Sequence, residues 1–562
     1  MGSRSEDEVK CRNPYAYLDR TDFSSEKYKI EVRGLPKHYG FGEFRKLLND
    51  KLELQSSKVK PPKKGSEWLY VCFRSAECRD KAISVINGLS WKGSKLTAQM
   101  AKPAPDPLIK RKIEDEDRNY KKRKDGEGYE AIPPMQRVKQ STTPFWNVSY
   151  PEQLKLKQKK MEGVLKTLGQ EILKGNANLA DWLASRREKY SGLPCELLPI
   201  LSASEIEGYR NKCEFTIGKA EKDDQTIIGF RLSSYAAGST AVGPIDDLCH
   251  IPENMKRAAK IFEEFVRNSK FTVFDPIHNS GYWKQLTVRT SKLGHLMLII
   301  GIDRQDLSEG DVIELKKSIL EFFEKGKGAE ANVTSLYFQT IERKGIGGEG
   351  GGSLEHLSGM KYIEESLMDM TFRVSPDAFF QINTLGAEVL YKAAIDLASP
   401  DTNTAILDVC CGTGTIGLCF SKYCGEVLGM ETVSSAVEDA KENAKKNGVK
   451  NCEFFVGKAE DLLTTVVQRT SMPDIIAVVD PPRAGLHQRA ILSLRKTKQL
   501  KKLVYVSCGP EAAIKNFVDF ARPASKHYVG EPLVPVKAVA VDMFPHTKHC
   551  ELVVYLERLS SV

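Results

Sequence analysis

The sequence lacks the features that mark membrane-spanning and secreted proteins. Its 562 residues contain no apolar run of the roughly 18 residues that a membrane-spanning helix needs. Glu6, Asp7 and Glu8 stand near the start, so the Arg-rich, acid-poor bias of a mitochondrial transit peptide is missing as well. The 13 cysteines have no regular spacing, which favours reduced thiols over a disulfide framework. These absences predict a cytoplasmic protein and leave the nucleus open.

A strong charge of either sign is also missing. Lys and Arg total 83 against 74 Asp and Glu, a formal net charge of +9. A nucleic-acid partner would therefore have to be bound by local basic patches. The length exceeds what one hydrophobic core can organise, and at roughly 100 to 200 residues per domain three or four domains are expected.

Residues 28–102 have the size and order of a β-α-β-β-α-β unit. This unit resembles an RNA-recognition motif, because the run 70–73 matches the end of the central signature of that family. In the predicted strand 67–73, alternation directs Leu69, Val71 and Phe73 toward the helices. Trp68 and Tyr70 then lie on the open sheet face, where bases would stack. Glu31 stands where the family usually has an aromatic residue. We expect this face to bind RNA, or else to serve as a protein contact or an orienting spacer.

The next segment, 103–143, is rich in Pro and then heavily charged, which predicts a mobile linker. Its basic runs 110–112 and 121–124 flank the acidic run 114–117. Such runs favour a solvated spacer, with tRNA tethering or a nuclear signal as the alternative.

Two further regions precede the last domain. Residues 144–192 are predicted to be helical, because apolar residues recur there at helical spacing. These residues are Met161, Val164, Leu165, Leu168 and Ile172. Residues 193–365 hold short alternating runs and predict a central, mainly β, RNA-binding domain. Within it, the segment 345–352 is so rich in Gly that a flexible surface loop is expected.

Residues 366–562 alternate buried strands with helices, which predicts an α/β, doubly wound, Rossmann-like sheet with its ligand at the carboxyl ends of the strands. Gly412, Gly414 and Gly417 open a helix directly after an apolar strand, and Glu431 ends the next strand. Enzymes that bind nicotinamide cofactors and enzymes that bind S-adenosylmethionine both use a glycine turn and an acid for the ribose hydroxyls. The run Asp480-Pro481-Pro482-Arg483 favours the second class, because methyltransferases place an Asp/Asn-Pro-Pro corner beside the transferable methyl group.

Five separate motifs occur in the order found in the RNA 5-methyluridine methyltransferases, and the last 360 or so residues resemble that family. The motifs are FFQIN (379–383), LDVCCGTG (407–414), DPPRAGL (480–486), VSCGP (506–510) and DMFPHTKHCE (542–551). The resemblance implies methylation of the T-loop uridine of tRNA, nucleotide 54, with S-adenosyl-L-methionine as the cofactor and the tRNA T-arm as the partner.

The same resemblance implies which residues bind the cofactor: Gln381, Cys410, Thr415, Glu431 and Asp480. Cys410 stands where bacterial relatives often have an aromatic residue, so its backbone is expected to contribute more than its side chain.

No metal is expected from the same comparison with bacterial relatives. Some of these hold an iron-sulfur cluster through a tight cysteine group, whereas Cys195, Cys213 and Cys249 are widely spaced. The run Tyr209-Arg210-Asn211-Lys212 also resembles a family run, and its Arg and Lys either hold phosphates or are ordinary solvated charges.

The chemistry requires a nucleophile and a base. Carbon 5 of uracil is too weak a nucleophile to accept a methyl group until a thiolate adds to carbon 6, and Cys508 is predicted to supply that thiolate. Glu551 is predicted to remove the proton from carbon 5, so that elimination releases the enzyme. The competing interpretations are a buried structural thiol for Cys508 and an exposed acid at the start of the last strand for Glu551.

Two other functions stay open at the level of sequence. A 5-methylcytidine RNA methyltransferase would use the same thiolate chemistry, although with its cysteine in a different motif. An RNA-binding or tRNA-folding protein, in which the modification is secondary, would keep the same domains.

Overall fold

The computed structural model describes residues 15, 18, 25–36, 39–60, 66–105, 132–232, 240–341 and 352–561. The charged runs of the predicted linker lie outside the described residues, as does nearly all of the predicted glycine-rich loop 345–352. Contacts divide the chain into two compact units: one contains the described residues up to 105, and the other comprises 132–232, 241–341 and 352–561. Within the described ranges, no helix is long and apolar enough to cross a membrane.

The first unit is a four-stranded antiparallel sheet with two helices. Its elements are β1 (Lys29–Arg33), α1 (Phe41–Lys46, continued by a π-helical turn, Leu47–Lys51), β2 (Lys58–Lys60), β3 (Trp68–Cys72), α2 (Ala76–Ile86), β4 (Ser90–Trp91), β5 (Ser94–Lys95) and β6 (Thr97–Met100). The sheet order is β2-β3-β1-β6, and β4 pairs with β5 in a separate hairpin. This is the element order that the sequence predicts, with the hairpin added before the last strand.

Alternation along β3 divides its side chains between the two faces of this sheet. Leu69 and Val71 are fully buried in the core beneath the helices, as predicted. Trp68 and Tyr70 lie half-buried on the other face, with their ring centroids 5.1 Å apart. Glu31 is opposite Tyr70 in the strand ladder and forms an ion pair with a neighbouring arginine. The negative charge on this face is therefore balanced within the face itself.

The second unit begins with three helices and a strand: α3 (Pro134–Thr142), α4 (Tyr150–Gly175), α5 (Ala180–Lys189, after a 3-10 turn, Ala177–Leu179) and β7 (Glu196–Leu201). All five apolar residues predicted to form the stripe of α4 are buried, so the helix prediction for this segment is confirmed. Helix α3 lies within the predicted linker, and its Val138 is fully buried in the core of the central domain. A single buried residue leaves no helical periodicity in the sequence, which is why α3 was not predicted.

The central domain contains a seven-stranded sheet. Its elements are β8 (Lys212–Lys219), β9 (Thr226–Arg231), β10 (Val242–Gly243), α6 (Glu253–Arg267), β11 (Trp283–Thr290), β12 (Leu296–Ile302), α7 (Glu309–Lys325, followed by a 3-10 turn, Lys327–Ala331), β13 (Ser335–Thr340) and β14 (Leu354–Gly359). The sheet order is β10-β9-β8-β11-β12-β13-β14, and only the β12–β13 pair among these is parallel. The prediction of a mainly β domain missed α6 and α7, whose buried residues recur every three or four positions and pack against the sheet.

The last domain is built on an eight-stranded sheet. Its elements are β15 (Ile363–Leu367), β16 (Met370–Val374), α8 (Thr384–Ala398), β17 (Thr404–Val409), α9 (Thr415–Phe420), β18 (Glu426–Glu431), α10 (Ser434–Lys446), β19 (Cys452–Val456), α11 (Ala459–Val467), β20 (Asp474–Val479), α12 (Gln488–Lys496), β21 (Leu500–Ser507), α13 (Pro510–Ala521), β22 (Leu533–Val541) and β23 (Glu551–Arg558, followed by a 3-10 turn, Leu559–Ser561). The sheet order is β19-β18-β17-β20-β21-β23-β22-β7. Strands β17 to β21 run parallel, and β23 is antiparallel to both of its neighbours.

Apolar side chains cover both faces of this sheet, so the prediction of a doubly wound α/β fold is confirmed. In β17, Leu407 and Val409 join a core with α4 and α11 to α13, whereas Ile406 joins a core with α8 to α10. Strand β7 pairs with β22 although the sequence-based division places it in the central domain. A strand belongs to a sheet through its hydrogen-bonded partners, and the local sequence of β7 does not reveal which partners it has.

Candidate active site

The glycine turn after β17 lies at the carboxyl ends of the parallel strands, where the cofactor cleft of such a fold is expected. Gly412 and Gly414 have positive φ angles of 54° and 76°, which glycine adopts without strain. A Cβ atom on Gly412 would meet nothing within 4 Å, whereas one on Gly414 would come within 2.9 Å of Ala440. One on Gly417 would come within 2.8 Å of Asp408. Gly412 is thus open to a ligand, and the other two glycines allow close packing of the helix on the sheet.

Glu431, at the end of β18, faces this turn. One carboxylate oxygen accepts a hydrogen bond from the Gly412 N–H (3.1 Å). The other accepts from the N–H groups of Thr432 (2.7 Å) and Val433 (3.0 Å). The oxygen that binds Thr432 and Val433 also accepts from the Thr432 hydroxyl (2.9 Å), so these bonds fix the half-buried side chain and leave lone-pair capacity for a further donor on the oxygen that faces Gly412. A ribose diol is a donor pair of the kind that such a carboxylate binds.

Two more carboxylates belong to the cleft. Asp480 follows β20, and one of its oxygens lies 3.4 Å from the Gln381 side-chain nitrogen. Asp408, fully buried in β17, accepts from the Gly417 N–H (2.8 Å) through one oxygen, and its other oxygen has no partner among the described residues. Burial raises the pKa of each of these two aspartates to about 7.

The remaining two predicted cofactor residues lie in the turn itself. Cys410 has a positive φ of 67° and donates its backbone N–H to Met430 O (3.0 Å), so that N–H is used within the fold. Thr415 begins α9, and its buried hydroxyl lies 3.0 Å from that of Thr413. The structure therefore brings Gln381, Glu431 and Asp480 to the cleft as side chains, and Cys410 and Thr415 as parts of the turn. Among the described residues, no side-chain hydrogen bond joins these two residues to the other three.

The cleft suits S-adenosylmethionine by charge as well as by form. Asp408, Glu431 and Asp480 converge on it, and the neighbouring charges raise the pKa of Asp408 beyond the effect of burial. The sulfonium and ammonium groups of that cofactor are cationic, so binding would relieve the repulsion among the carboxylates. Glu431, Gln381 and Asp480 remain the side chains predicted to hold it.

The two predicted catalytic residues meet at the same end of neighbouring antiparallel strands. Cys508 directly follows β21, and Glu551 is the first residue of β23. The last registered pair of this ladder joins Ser507 to Leu552, so one step further sets Cys508 opposite Glu551. Opposed side chains on one face of such a ladder have Cβ atoms about 5 Å apart. The residues predicted to be the nucleophile and the base thus lie at the same end of adjacent strands.

Glu551 is buried rather than exposed, being only 3% accessible, and one of its oxygens has no partner among the described side chains. Burial raises the pKa of Glu551 to about 8; the charge of Asp480 adds to the rise and that of Arg483 opposes it. The competing interpretation of an exposed acid is therefore wrong. A carboxylate with this pKa is a much stronger base than an ordinary glutamate.

Cys508 is half-buried, and burial raises the pKa of its thiol. The charges of Glu551 and Asp480 raise the pKa further, whereas the Arg483 guanidinium, within hydrogen-bonding reach of the sulfur, lowers it. A small cavity is lined by Arg483, Cys508, Pro481, Pro482 and Tyr505, among others. Arg483 is thus a site residue to which the sequence reasoning gave no role, although its motif was recognised.

Other supporting residues were missed because their function depends on tertiary contacts. The Asn211 side-chain amide donates to Gln381 O (2.9 Å) and to the Thr384 hydroxyl (2.9 Å). The Asn383 amide donates to Met543 O (2.9 Å). Both residues stand within runs that resemble family motifs, which was the available signal. In the run 209–212, therefore, Asn211 supports the segment that carries Gln381.

The phosphate-binding hypothesis for the two basic residues of that run stays a prediction. Lys212 is 3.0 Å from Glu214 in an ion pair, and Arg210 donates to Lys212 O (2.9 Å). Among the described residues, no group of three or more His, Cys, Asp or Glu side chains is arranged to hold a metal ion. The expectation that no metal is bound also stays a prediction.

Comparison with known proteins places this site in a family. Residues 356–559 match the family model described as tRNA (Uracil-5-)-methyltransferase. The chain is 42% identical over 549 residues to tRNA (uracil-5-)-methyltransferase homolog A of Homo sapiens, covering 97% of this chain and 85% of that protein. It is 37% identical over 428 residues to homolog B of Mus musculus, covering 75% and 86%.

A solved structure also matches. It is that of the Pyrococcus abyssi tRNA (uracil-54, C5)-methyltransferase in complex with S-adenosyl-L-homocysteine. The TM-score is 0.52 at 25% sequence identity, and the match covers 73% of this chain and 83% of that chain.

Proposed function

Because the chain belongs to the tRNA (uracil-5-)-methyltransferase family, as its identity to homolog A and the family model establish, we propose that its target is uridine 54 in the T-arm of tRNA. The resemblance that the five motifs indicated is thereby confirmed. The enzyme is an S-adenosylmethionine-dependent tRNA uracil-5-methyltransferase. This assignment decides in favour of uridine over the 5-methylcytidine alternative.

One observation carries the proposed mechanism: the register of β21 and β23 sets Cys508 opposite Glu551 on the rim that also holds Asp480. A thiolate at this position adds to carbon 6 of the uracil, and the electron pair of the 5,6 double bond moves to carbon 5 and its neighbouring carbonyl. S-adenosylmethionine, when bound, supplies the methyl group as an electrophile. The Cys508 nucleophile is thus needed before carbon 5 can attack.

Release requires Glu551. Its carboxylate takes the proton from carbon 5, the electron pair of that C–H bond re-forms the 5,6 double bond, and the bond between carbon 6 and the Cys508 sulfur breaks. The thiolate leaves, and the proton stays on Glu551. Arg483, beside the sulfur, stabilises the thiolate both before addition and after elimination.

The position in tRNA rests on the matched archaeal enzyme, whose name specifies uracil-54. The target base must leave the folded T-loop to reach a rim at the strand ends, at an unstacking cost of a few kcal/mol. The first unit, with Trp68 and Tyr70 on its open sheet face, is proposed to add RNA affinity. Lys29 Nζ lies 4.5 Å from the Tyr70 ring centroid, although its charge is paired with that of Glu26.

A cytosolic location, with the nucleus open, is part of the same proposal. The twelve cysteines that the structure describes are all free thiols, as expected for a reducing compartment.

Nucleoside mass spectrometry tests the reaction and its position together. The enzyme is incubated with S-adenosylmethionine and either a tRNA transcript or the same transcript carrying cytidine at position 54. We expect 5-methyluridine in the first product alone. Methylation of the altered transcript to the same extent would contradict the proposed position, and 5-methylcytidine in either product would contradict the uridine assignment.

A mechanism-based trap tests the nucleophile. Fluorine at carbon 5 cannot leave as a proton, so 5-fluorouridine tRNA should remain bonded to the enzyme after methyl transfer. We expect the adduct with the unaltered enzyme and with Cys452→Ala, which removes another half-buried thiol. Cys508→Ala should form none, and an adduct with that variant would overturn the role of Cys508.

A further inference from the structure

The segment that leads into Glu551 has an unusual backbone. Residues 542–550, which connect β22 to β23, are called the base loop below. His546 in this loop has a φ of 64°, in the left-handed region that non-glycine residues rarely adopt. Such a conformation persists only where the surroundings hold it in place. The contacts that hold the base loop therefore bear on the position of the base.

Lys157 of α4 binds the beginning of the loop. Its Nζ donates to an Asp542 carboxylate oxygen (2.6 Å) and to Phe544 O (3.0 Å). The side chains of Lys157 and Asp542 are 1% and 0% accessible. The same Asp542 oxygen accepts the Phe544 N–H (3.1 Å), so one buried cation closes the turn from 542 to 544.

Gln153 lies one helical turn before Lys157 and is fully buried. Its Oε1 accepts the backbone N–H of His546 (2.7 Å), and its Nε2 lies 3.2 Å from His546 Nδ1. The amide therefore binds both the backbone and the ring of the residue that has the left-handed conformation. Two side chains of a single helix thus hold the base loop at two points.

Hydrogen bonds continue from these points to the base. Phe544 O, which accepts from Lys157, also accepts from the Thr547 hydroxyl (2.8 Å). The Thr547 oxygen in turn accepts the His549 N–H (3.1 Å), two residues before Glu551. A displacement of the turn at 544 would therefore be passed along the loop to the start of β23.

The chemistry of these two positions is not what packing alone requires. Gln153, Lys157 and Met161 stand at intervals of four, so they continue the buried apolar stripe of α4. An apolar side chain would bury there without the cost of desolvating a charge. The buried lysine is explained by the loop that it binds, whereas the Gln153 amide also donates to Val148 O (2.8 Å) and Phe145 O (3.3 Å) ahead of α4.

From these contacts we propose that Lys157 and Gln153 are positioning residues that hold the base loop so that Glu551 faces carbon 5 of the bound uracil. The inference rests on the proposed role of Glu551 as the base. It makes α4 part of the catalytic apparatus, although the helix lies outside residues 356–559, which match the family model.

The test separates release from the earlier steps in single-turnover reactions with tRNA and S-adenosylmethionine. Gln153→Leu introduces no charge, and the double variant Lys157→Met with Asp542→Asn leaves no unpaired buried charge. For both, we expect adduct formation and methyl transfer at near wild-type rates and release slowed by roughly tenfold or more, since small misplacements of catalytic groups have effects of this size. Lys157→Arg, which keeps the charge, should restore much of the release rate.

Lys155→Met is the matched control, because Lys155 lies on the same helix with its side chain 76% accessible. It should release product at the wild-type rate. Glu551→Gln, measured in parallel, should accumulate the methylated adduct. If it does, and both loop variants release normally, the inference is wrong while the role of Glu551 stands.

Two other results would also overturn the inference. Equal slowing of adduct formation, methyl transfer and release would assign the two residues to the general stability of the fold. Normal release by Glu551→Gln would remove the base on which the inference rests. Should the double variant fail to fold, Gln153→Leu alone decides between these outcomes.

Discussion

Replacing Glu551 by Gln should make the protein more stable while it stops product release. Burial raises the pKa of Glu551 from 4.5 to about 8. The folded protein therefore keeps most of this carboxyl group protonated at pH 7, where the unfolded chain ionises it, and only the ionised minority is available to act as the proposed base. Each pKa unit between the unfolded value and the ambient pH costs about 1.4 kcal/mol of folding free energy. At pH 7 the penalty is on the order of 3 kcal/mol.

The sign follows from the direction of the shift. A carboxyl whose pKa is raised by folding reduces stability only above its unfolded pKa, and the penalty grows with pH until about 8, where it levels off. Glutamine removes the ionisation but leaves amide hydrogens without partners, at a cost on the order of 1 kcal/mol. The variant should therefore be more stable by about 2 kcal/mol at pH 7, with almost no gain at pH 5.

Native-state hydrogen exchange is a suitable measurement, because peptides from β21 and β23 report the opening of this part of the sheet even in a chain with several domains. Opening free energies are compared for the two proteins at pH 5, 6, 7 and 8. Glu453→Gln is the control, since it replaces a carboxylate whose side chain is 46% accessible. A difference between Glu551→Gln and the unaltered protein that stays constant with pH, or a loss of stability at pH 8, would refute the reasoning.

Three further outcomes follow from the site. Glu431→Ala should weaken S-adenosylmethionine binding by about 1 to 3 kcal/mol, the range for leaving hydrogen-bond partners unmet, as calorimetry can measure; unchanged affinity, or tight binding of NAD, would contradict the cofactor site. Arg483→Met should raise the pKa of the Cys508 thiol, because it removes a positive charge that lowers this pKa. The pH profile of iodoacetamide labelling of Cys508 should therefore move to higher pH, and an unchanged profile would contradict this role of Arg483. Deletion of residues 1–131, which keeps α3 in its core, should lower tRNA affinity but preserve single-turnover methyl transfer at saturating tRNA; lost chemistry at saturation would assign the first unit a catalytic part.

The antiparallel direction of β23 brings Glu551 to the end of the sheet where Cys508 lies. In the parallel part of the sheet, residues that follow strands reach the cleft, and Asp480 and Cys508 arrive in this way. Strand β23 runs in the opposite direction beside β21, so its first residue, Glu551, lies at the same end of the sheet. If β23 ran parallel to β21, its first residue would lie at the opposite end of the sheet from Cys508. Because β23 is antiparallel, Glu551 lies beside Cys508.

Much of the last domain could be predicted, because its local patterns are strong. Strand β20, for example, carries the continuous buried apolar run 475–479, and a parallel sheet with both faces covered requires such runs. The predicted catalytic pair and three cofactor side chains lie on one rim. The helices α6 and α7 were missed because the short alternating runs around them predicted a mainly β domain. Helix α3 was missed because only Val138 among its residues is buried.

The sequence by itself determined the fold class, the order of the motifs and the candidate reactive residues, since each depends on residue type and on spacing over a few positions. Only the tertiary structure decided the burial, the pKa values and the hydrogen-bond partners of those residues. The raised pKa of Glu551 results from burial and from Asp480, which is distant in the chain. The bonds from Lys157 and Gln153 to the base loop join residues 385 and 393 positions apart. Burial and long-range pairing are properties of the assembled chain, so no local pattern in the sequence can contain them.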